Sequence, residues 1–164
     1  MRVMGFDPGL RITGYGLVES NGKELSLIQA GVIRVEEGKK LEERLGELYS
    51  GIVQVLEEGE PEQVAVEELY SHYQHPRTAI LMGHARGIIF LACAQQGIEV
   101  FSYPAKKIKQ SLTGNGSAGK LQVQRSIQAY LGLKSLPRPS DVADALAVAL
   151  CHLKHQKELR SKRN

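Results

Sequence analysis

A short apolar run near the start of the chain, residues 2–6, stops abruptly at Asp7, which a proline and a glycine follow. Short apolar runs that end at turn residues are typical of buried β-strands. A second run, residues 63–66, carries Glu67 at its end. Both of these predicted strands therefore end in a carboxylate. Burying such a group without a partner costs several kcal/mol.

The rest of the chain alternates between strand-like and helix-like patterns. Runs at residues 13–18 and 25–35 flank an Asn-Gly pair, a strong hairpin signal, so the first three strands are predicted to form an antiparallel meander. Leucine and isoleucine recur at helical spacing between Leu41 and Leu56. The remaining predicted elements are a helix over 77–96, a strand over 98–102, a basic helix over 105–112 and two further helices.

This order of elements predicts one α/β domain with a mixed sheet. Strand–helix–strand crossovers make the later strands parallel to the first, and ligands of such sheets bind beyond the carboxyl ends of the strands. If the strands that end at Asp7 and Glu67 are neighbours, the two carboxylates lie at one edge. We expect residues 1–154 to form the domain and residues 155–164 to form a basic, frayed tail.

A second pair of acids follows Ser140, which suits a helix N-cap. Asp141 and Asp144 are three residues apart, so both lie on one face of the first helical turn. Acids in a first turn also stabilise the helix dipole by roughly 0.3–1 kcal/mol, so the pair alone does not indicate a metal site. Together with Asp7 and Glu67, the pair completes an oxygen-only ligand set, which favours magnesium or manganese over zinc. Two such ions about 4 Å apart can clamp the attacking and leaving oxygens of a phosphodiester.

The charge of the chain is distributed unevenly. Residues 1–100 contain 9 Lys or Arg and 15 Asp or Glu, whereas residues 101–164 contain 12 and 3. The basic half suggests a polyanionic partner, although basic helices also serve solubility alone. The start of the chain lacks a signal-peptide pattern, and we expect no stretch to approach the roughly 20 apolar residues that span a bilayer. A cytoplasmic protein without a membrane segment is expected, with Cys93 and Cys151 as buried apolar side chains.

Several motifs resemble those of the RuvC-type Holliday-junction resolvases, in order, with family-like spacing and over nearly the whole chain. They are FDPG at 6–9, TGYG at 13–16, AVEE at 65–68, HARG at 84–87, KQSLTGNGSAGK at 109–120 and DVADALAVA at 141–149. The resemblance implies a ribonuclease-H-like fold with a mixed five-stranded sheet flanked by helices. It also implies a homodimer that binds four-way DNA junctions in recombination and repair and nicks two strands symmetrically. A branch-migration complex is the implied loading partner.

The resemblance assigns roles to individual residues. The acidic tetrad of the family corresponds to Asp7, Glu67, Asp141 and Asp144, which would hold two Mg²⁺ ions, or Mn²⁺ in their place. Asp7 would bridge the two ions, and the other three would complete their coordination and hold the nucleophilic water.

Three further residues match DNA-contacting positions of the family. Tyr70 would stack at the junction centre, while Lys109 and Lys120 would lie beside the scissile phosphate; a buried tyrosine and solubilising lysines are the alternatives. The chain departs from the family pattern at His75, His84 and Gly119, which leaves its preferred cleavage sequence open.

The helix over 77–96 offers a second apolar face, since Ile80, Gly87, Leu91 and Ala94 recur at near-helical spacing. The resemblance implies that this helix pairs with its copy across a two-fold axis. Such symmetry presents two identical sites to a symmetric junction.

Other readings of the sequence are weaker. The loop at 114–120 matches parts of two nucleotide-binding motifs but lacks their strand and helix context, so a DNA-contacting loop fits better. His152 and His155 have zinc-like spacing without further ligands and are expected to be surface histidines. An actin-like or sugar-kinase ATPase needs about twice this length. A nuclease acting on RNA or another branched substrate, and a non-catalytic junction-binding protein, remain as alternatives.

Overall fold

A computed structural model describes residues 1–69 and 76–162 of the chain. Within these residues there are five strands and five helices. The strands are β1 (Arg2–Asp7), β2 (Ile12–Ser20), β3 (Leu25–Arg34), β4 (Gln63–Glu67) and β5 (Glu99–Tyr103). The helices are α1 (Leu41–Gly59), α2 (Pro76–Gln95), α3 (Ala105–Thr113), α4 (Lys120–Leu131) and α5 (Ser140–Ser161).

The strands form one mixed sheet in the order β3-β2-β1-β4-β5. The pairs β1–β2 and β2–β3 are antiparallel, as the meander prediction requires, and β1–β4 and β4–β5 are parallel. The hairpin between β2 and β3 turns at Asn21, whose side-chain oxygen accepts hydrogen bonds from the backbone N–H groups of Lys23 and Glu24 at 3.0 and 2.8 Å. The predicted mixed five-stranded sheet is therefore confirmed.

Helices cover both faces of the sheet. Successive strand residues point to opposite faces, so Met4 and Phe6 pack with α1 and α2, whereas Val3 packs in the core that α3, α4 and α5 share. Gly5 and Asp7 follow Val3 at a spacing of two residues, which directs Asp7 to the face covered by α5.

Glycines allow α5 to lie directly on the middle of the sheet. A Cβ atom at Gly5 would stand 2.0 Å from the backbone oxygen of Ala145, and one at Gly14 would stand 2.0 Å from that of Asp141. Both distances are far below contact distance. The absence of side chains at these two positions therefore fixes how closely the first half of α5 approaches β1 and β2.

The helix boundaries differ from prediction at α5. Ser140 is its first helical residue, Pro139 occupies the N-cap position and no side-chain cap hydrogen bond forms, so the N-cap assignment of Ser140 was wrong. The helix then continues unbroken to Ser161, past the predicted domain boundary at residue 154. Val142 to Leu153 are largely buried. Because this packing stabilises the helix, the polar turns that follow remain helical as well.

One helix among the described residues, Arg77–Gln95, is long and apolar enough to cross a membrane, and only a minor part of it is buried. This criterion concerns length and composition only, and helices of water-soluble proteins also satisfy it. The expectation that no stretch would approach such a length was wrong for α2. Cys93 and Cys151 are both buried and free, as expected.

Candidate active site

Two of the predicted carboxylates lie side by side at the carboxyl edge of the central strands. Asp7 is the last residue of β1 and Glu67 the last of β4. These strands are parallel neighbours, with Phe6 paired to Val66, so the residues that follow are adjacent as well. The prediction that both carboxylates occupy one edge of the sheet is confirmed.

The first turn of α5 brings the other two carboxylates to the same place. Asp7 lies opposite Gly14 in the β1–β2 ladder, and the backbone of Asp141 rests on Gly14. Asp144 lies one turn further along α5. Positions 7 and 141 are far apart in the sequence, so no local pattern predicts that they meet. The contact of α5 with Gly14 brings Asp141 close to Asp7. The glycine lies in the TGYG motif, but a strand pattern alone does not predict which helix packs on it.

The carboxylates perturb one another electrostatically. Burial raises the pKa of Asp7 to about 7, with added repulsion from Asp144, Asp141 and Glu67 and a smaller opposing effect of Lys120. All three other members of the tetrad therefore act on Asp7.

Glu67 and Asp144 show the same effect. Burial is the main cause that raises the pKa of each, and the charge of Asp144 adds to the effect at Glu67. Lys109 opposes the rise at both carboxyls, and Lys120 opposes it at Asp144. A cluster of partly buried acids of this kind is a frequent feature of functional sites.

The two predicted lysines lie beside the carboxylates. The Nζ atom of Lys120, at the start of α4, is 3.8 Å from Oδ2 of Asp144. Lys109 on α3 lines a cavity of about 260 Å³ together with Lys120, Glu67 and Asp144. Two cations and two anions thus share one cavity at the edge of the sheet, a suitable place for a phosphate beside bound metal.

The residues present fit divalent cations. Among the described residues, no three His, Cys, Asp or Glu side chains stand close enough to hold a single ion as they are. Yet the four clustered acids offer only oxygen ligands, and burial and repulsion by neighbouring carboxylates raise the pKa values of Asp7, Glu67 and Asp144, which disfavours their ionised forms. A hard divalent cation relieves both effects, because it supplies the compensating charge.

A buried threonine shapes the turn that follows Asp7, and the sequence interpretation did not single it out. The hydroxyl of Thr13 donates a hydrogen bond to the carbonyl of Gly9 at 2.7 Å and accepts one from the N–H of Gly9 at 3.2 Å. Its side chain is fully buried. Its place in the TGYG motif was the available signal.

Other residues singled out from the sequence lie elsewhere. Tyr70 and His75 fall outside the described residues. His84 is exposed on α2, and Gly119 precedes α4 as its N-cap residue. The loop at 114–120 connects α3 to α4 and leads into Lys120, in agreement with its lack of a nucleotide-binding context.

The expectation that His152 is a surface residue was wrong. The ring is fully buried under the sheet, where Nδ1 lies 2.7 Å from the hydroxyl of Tyr103 and Nε2 lies 2.7 Å from Oε1 of Gln63. Burial, with a smaller effect of His155, lowers the pKa of His152 to about 4, so the ring is neutral near pH 7. Its two nitrogens are used in this structural network, which leaves none for zinc.

Comparison with known proteins decides the family. A family model described as crossover junction endodeoxyribonuclease RuvC matches residues 3–152, a range that contains all four carboxylates and both lysines. The chain belongs to the RuvC family. The ribonuclease-H-like α/β fold that the resemblance implied is thereby confirmed, as is the resemblance itself.

Individual members of the RuvC family are similar along almost the whole chain. The RuvC protein of Rhodopirellula baltica is 46% identical over 149 residues, which are 91% of this chain and 84% of that protein. That of Pelotomaculum thermopropionicum is 46% identical over 155 residues, 94% of each chain. The structure of Thermus thermophilus RuvC in complex with a Holliday junction substrate has 36% identity and a TM-score of 0.91, and 96% of each chain is covered.

Proposed function

We propose that this chain is a structure-selective DNA endonuclease that resolves four-way junctions in recombination and repair. Membership of the RuvC family and the similarity to a RuvC solved with a Holliday junction substrate support this function. The observation that carries it is the convergence of Asp7, Glu67, Asp141 and Asp144 from three elements of the fold. A binding protein without catalysis has no need for such a costly cluster of acids.

The proposed reaction is hydrolysis of a phosphodiester with the help of divalent cations, Mg²⁺ or Mn²⁺, two in each site. Such ions neutralise charge on the phosphate and lower the pKa of water. Asp7, which is coupled to each of the other three acids, is the residue best suited to serve both ions. Glu67, Asp141 and Asp144 would complete the ligand set from the neighbouring strand and from α5.

The basic residues of the site would act on the DNA. Lys109 and Lys120 would offset the negative charge that develops on the scissile phosphate, because both line the cavity that Glu67 and Asp144 share. Tyr70 would stack on unpaired bases at the junction centre, a role that rests on the family resemblance alone.

The proposed active form is a homodimer that pairs through α2. Ile80 and Leu91 on this helix are 61% and 48% exposed, although both are large and apolar. Gly87 and Ala94 are exposed on the same helix, in agreement with the predicted second apolar face. An exposed apolar stripe of this kind, interrupted by His84, would suit an interaction surface.

The cellular setting follows from the same proposal. The excess of lysine and arginine after residue 100 suits a polyanionic DNA partner. We place the enzyme in the cytoplasm, where a branch-migration complex would load it onto junctions. A nuclease that acts on RNA or on another branched substrate is the nearest alternative, because it would use the same carboxylates and differ only in surface loops.

A comparison of three labelled substrates tests the proposed function. The purified protein is incubated with Mg²⁺ and, in separate reactions, a four-way DNA junction, a linear duplex and an RNA–DNA hybrid. We expect paired, symmetric nicks in the junction and little cutting of the other two. Preferred cutting of the hybrid would support the ribonuclease alternative, and binding to the junction without any cutting would support a non-catalytic role.

A further inference from the structure

A groove lies at the end of the sheet opposite the carboxylates. The β2–β3 hairpin, α4 and the last turns of α5 enclose a cavity of about 650 Å³, whose lining includes Leu25, Tyr130 and Leu153. It also includes Met1, which directly precedes β1, whereas Asp7 ends that strand. At about 3.3 Å per residue, the length of β1 places the groove ~20 Å from the active-site edge.

The rim of the groove is basic. Lys23, Lys154, Lys157 and Arg160 contribute to the lining, which contains no Asp or Glu. Among the described residues, no carboxylate lies within 4.0 Å of the charged nitrogens of Lys23, Lys157 or Arg160, and all three residues are exposed. Within the part of the chain that the structure describes, these three cations therefore form no ion pair, although Glu62 lies close enough to feel the charge of Arg160.

The fourth cation is held in place. Lys154 donates hydrogen bonds to the backbone oxygen of Ser111 and, at 2.8 Å, to the hydroxyl of Tyr130. Its Nζ atom also lies 4.6 Å from the centre of the Tyr130 ring. These contacts fix the aromatic ring in the groove wall. Leu25 and the almost fully buried Leu153 add apolar surface to the floor of the groove.

We propose that this groove docks an acidic peptide segment of a partner protein, with a bulky apolar side chain seated on the floor. The four cations of the lining, which contains no acid, supply charge complementarity for the carboxylates of such a segment. The volume of about 650 Å³ lies within the range of ligand pockets, roughly 300–1,000 Å³, so the groove has room for a few side chains of a peptide. A DNA backbone offers phosphates but no apolar group for the concave floor, so a peptide fits better than nucleic acid. The position of the groove lets a partner bind while the active site holds its substrate.

The test uses two fluorescein-labelled peptides, DEDLFEDED and DEDAAEDED, with the full-length protein and fluorescence polarisation. We expect the first to bind at least about tenfold more tightly, because burial of a Leu or Phe side chain contributes a factor of this size. The double variant Lys157→Glu with Arg160→Glu should weaken its binding at least about tenfold. Lys134→Glu, an equally exposed charge reversal outside the groove, should leave it unchanged.

Two further measurements locate the binding site. In an isotope-labelled sample, the first peptide should shift the amide signals of Leu25 and Lys157 and leave those of Lys109 and Lys120 in place. A saturating four-way junction should not displace the peptide. Equal binding of the two peptides, or no binding of either, overturns the proposal. Displacement by the junction, with equal weakening of DNA binding in the double variant, also overturns it, because the groove would then be part of the DNA surface.

Discussion

At the scale of single residues, Asp7 experiences the largest electrostatic perturbation among the four acids whose positions define the site. Burial and three neighbouring carboxylates raise its pKa to about 7, from an ordinary value of 3.8. A carboxyl whose pKa is higher in the folded state than in the unfolded chain is favoured by folding in its protonated form. Ionisation of Asp7 therefore begins to oppose folding above about pH 4, and this opposition is complete above about pH 7. A divalent cation held by the four acids would remove it.

The first prediction concerns stability without metal. In EDTA at pH 8, Asp7→Asn should raise the free energy of unfolding by about 1–3 kcal/mol, because it removes a charge that the fold disfavours. The gain should shrink towards pH 5, where Asp7 is already protonated in the folded protein. Thermal and denaturant unfolding at both pH values measure this. Glu57→Gln, at an exposed position on α1, is the control and should change little.

Added Mg²⁺ should make wild type more stable than Asp7→Asn, the reverse of the order in EDTA. Ligands that bind only the folded state stabilise it, so wild type should gain more stability from Mg²⁺ than Asp7→Asn does. Equal gains in the two proteins would show that Asp7 does not hold the ion.

The second prediction concerns Lys120, whose Nζ atom is 3.8 Å from Oδ2 of Asp144. Lys120→Ala should slow junction cleavage roughly tenfold to a hundredfold, because a cation beside the reacting phosphate acts mainly on the transition state. Junction affinity should fall by no more than about threefold, as one phosphate contact among many is lost. Single-turnover rates and gel shifts separate the two effects. Lys134→Ala is the matched control, and a larger loss of affinity than of rate would contradict the assignment.

The acidic residues of the site could be predicted from the sequence, but the burial of His152 could not. Asp7 and Glu67 were identifiable because each ends an apolar run, and parallel pairing brings such ends together. His152 was misplaced because its i, i+3 spacing to His155 resembled a surface pattern. Its burial depends on Tyr103 and Gln63, which belong to strands distant in sequence, and local spacing contains no information about them.

At the scale of elements, the packing of α5 on β1 and β2 decides whether the site exists. The helix contributes Asp141 and Asp144, and glycines at positions 5 and 14 let its backbone approach the strands. The sequence predicted the helix and its acids, and it predicted the strands. It did not reveal the contact between them, because a glycine in a strand pattern is also compatible with a bulge or a turn.

The third prediction tests that contact. Gly14→Ala would place a Cβ 2.0 Å from the backbone oxygen of Asp141, so the start of α5 must move away. We expect a loss of about 1–3 kcal/mol in stability and a fall in cleavage larger than the fall in junction binding. Gly46→Ala on α1 is the control, since a Cβ there meets nothing within 4 Å. An exposed helical alanine should stabilise the protein by roughly 0.5–1 kcal/mol. A Gly14→Ala protein with normal stability and activity would contradict the packing argument.

At the scale of the whole molecule, three distinct surfaces lie in separate places. The acidic site lies at the carboxyl edge of the sheet, the exposed apolar stripe lies along α2 and the basic groove lies at the other end of β1. The uneven charge of the two halves could be read from composition, since residues after 100 carry most of the lysine and arginine. The basic groove could not, because residues from the first and last parts of the chain form it.

The fourth prediction concerns assembly. Leu91→Asp places a charge in the proposed α2 interface, and burying an unpaired charge is costly, so the variant should be a monomer. It should still bind metal but fail to make paired nicks in a cruciform plasmid, because only a dimer presents two sites at once. Leu159→Asp alters another exposed leucine, on α5, and should remain dimeric. Sedimentation measures the assembly. A folded Leu91→Asp dimer with normal paired nicking would rule out this interface.

We propose that the site formed by the four carboxylates is needed for DNA cleavage, whereas the basic surface supplies most of the affinity for DNA. The most direct test of this proposal is a parallel measurement of junction binding and junction nicking by wild type and by Asp7→Asn in Mg²⁺. We predict that nicking falls by at least about a hundredfold, because the variant lacks a metal ligand. Affinity should stay within about threefold, because the basic surface is intact. Nicking at the wild-type rate, or an equal loss of binding and nicking, would contradict the account.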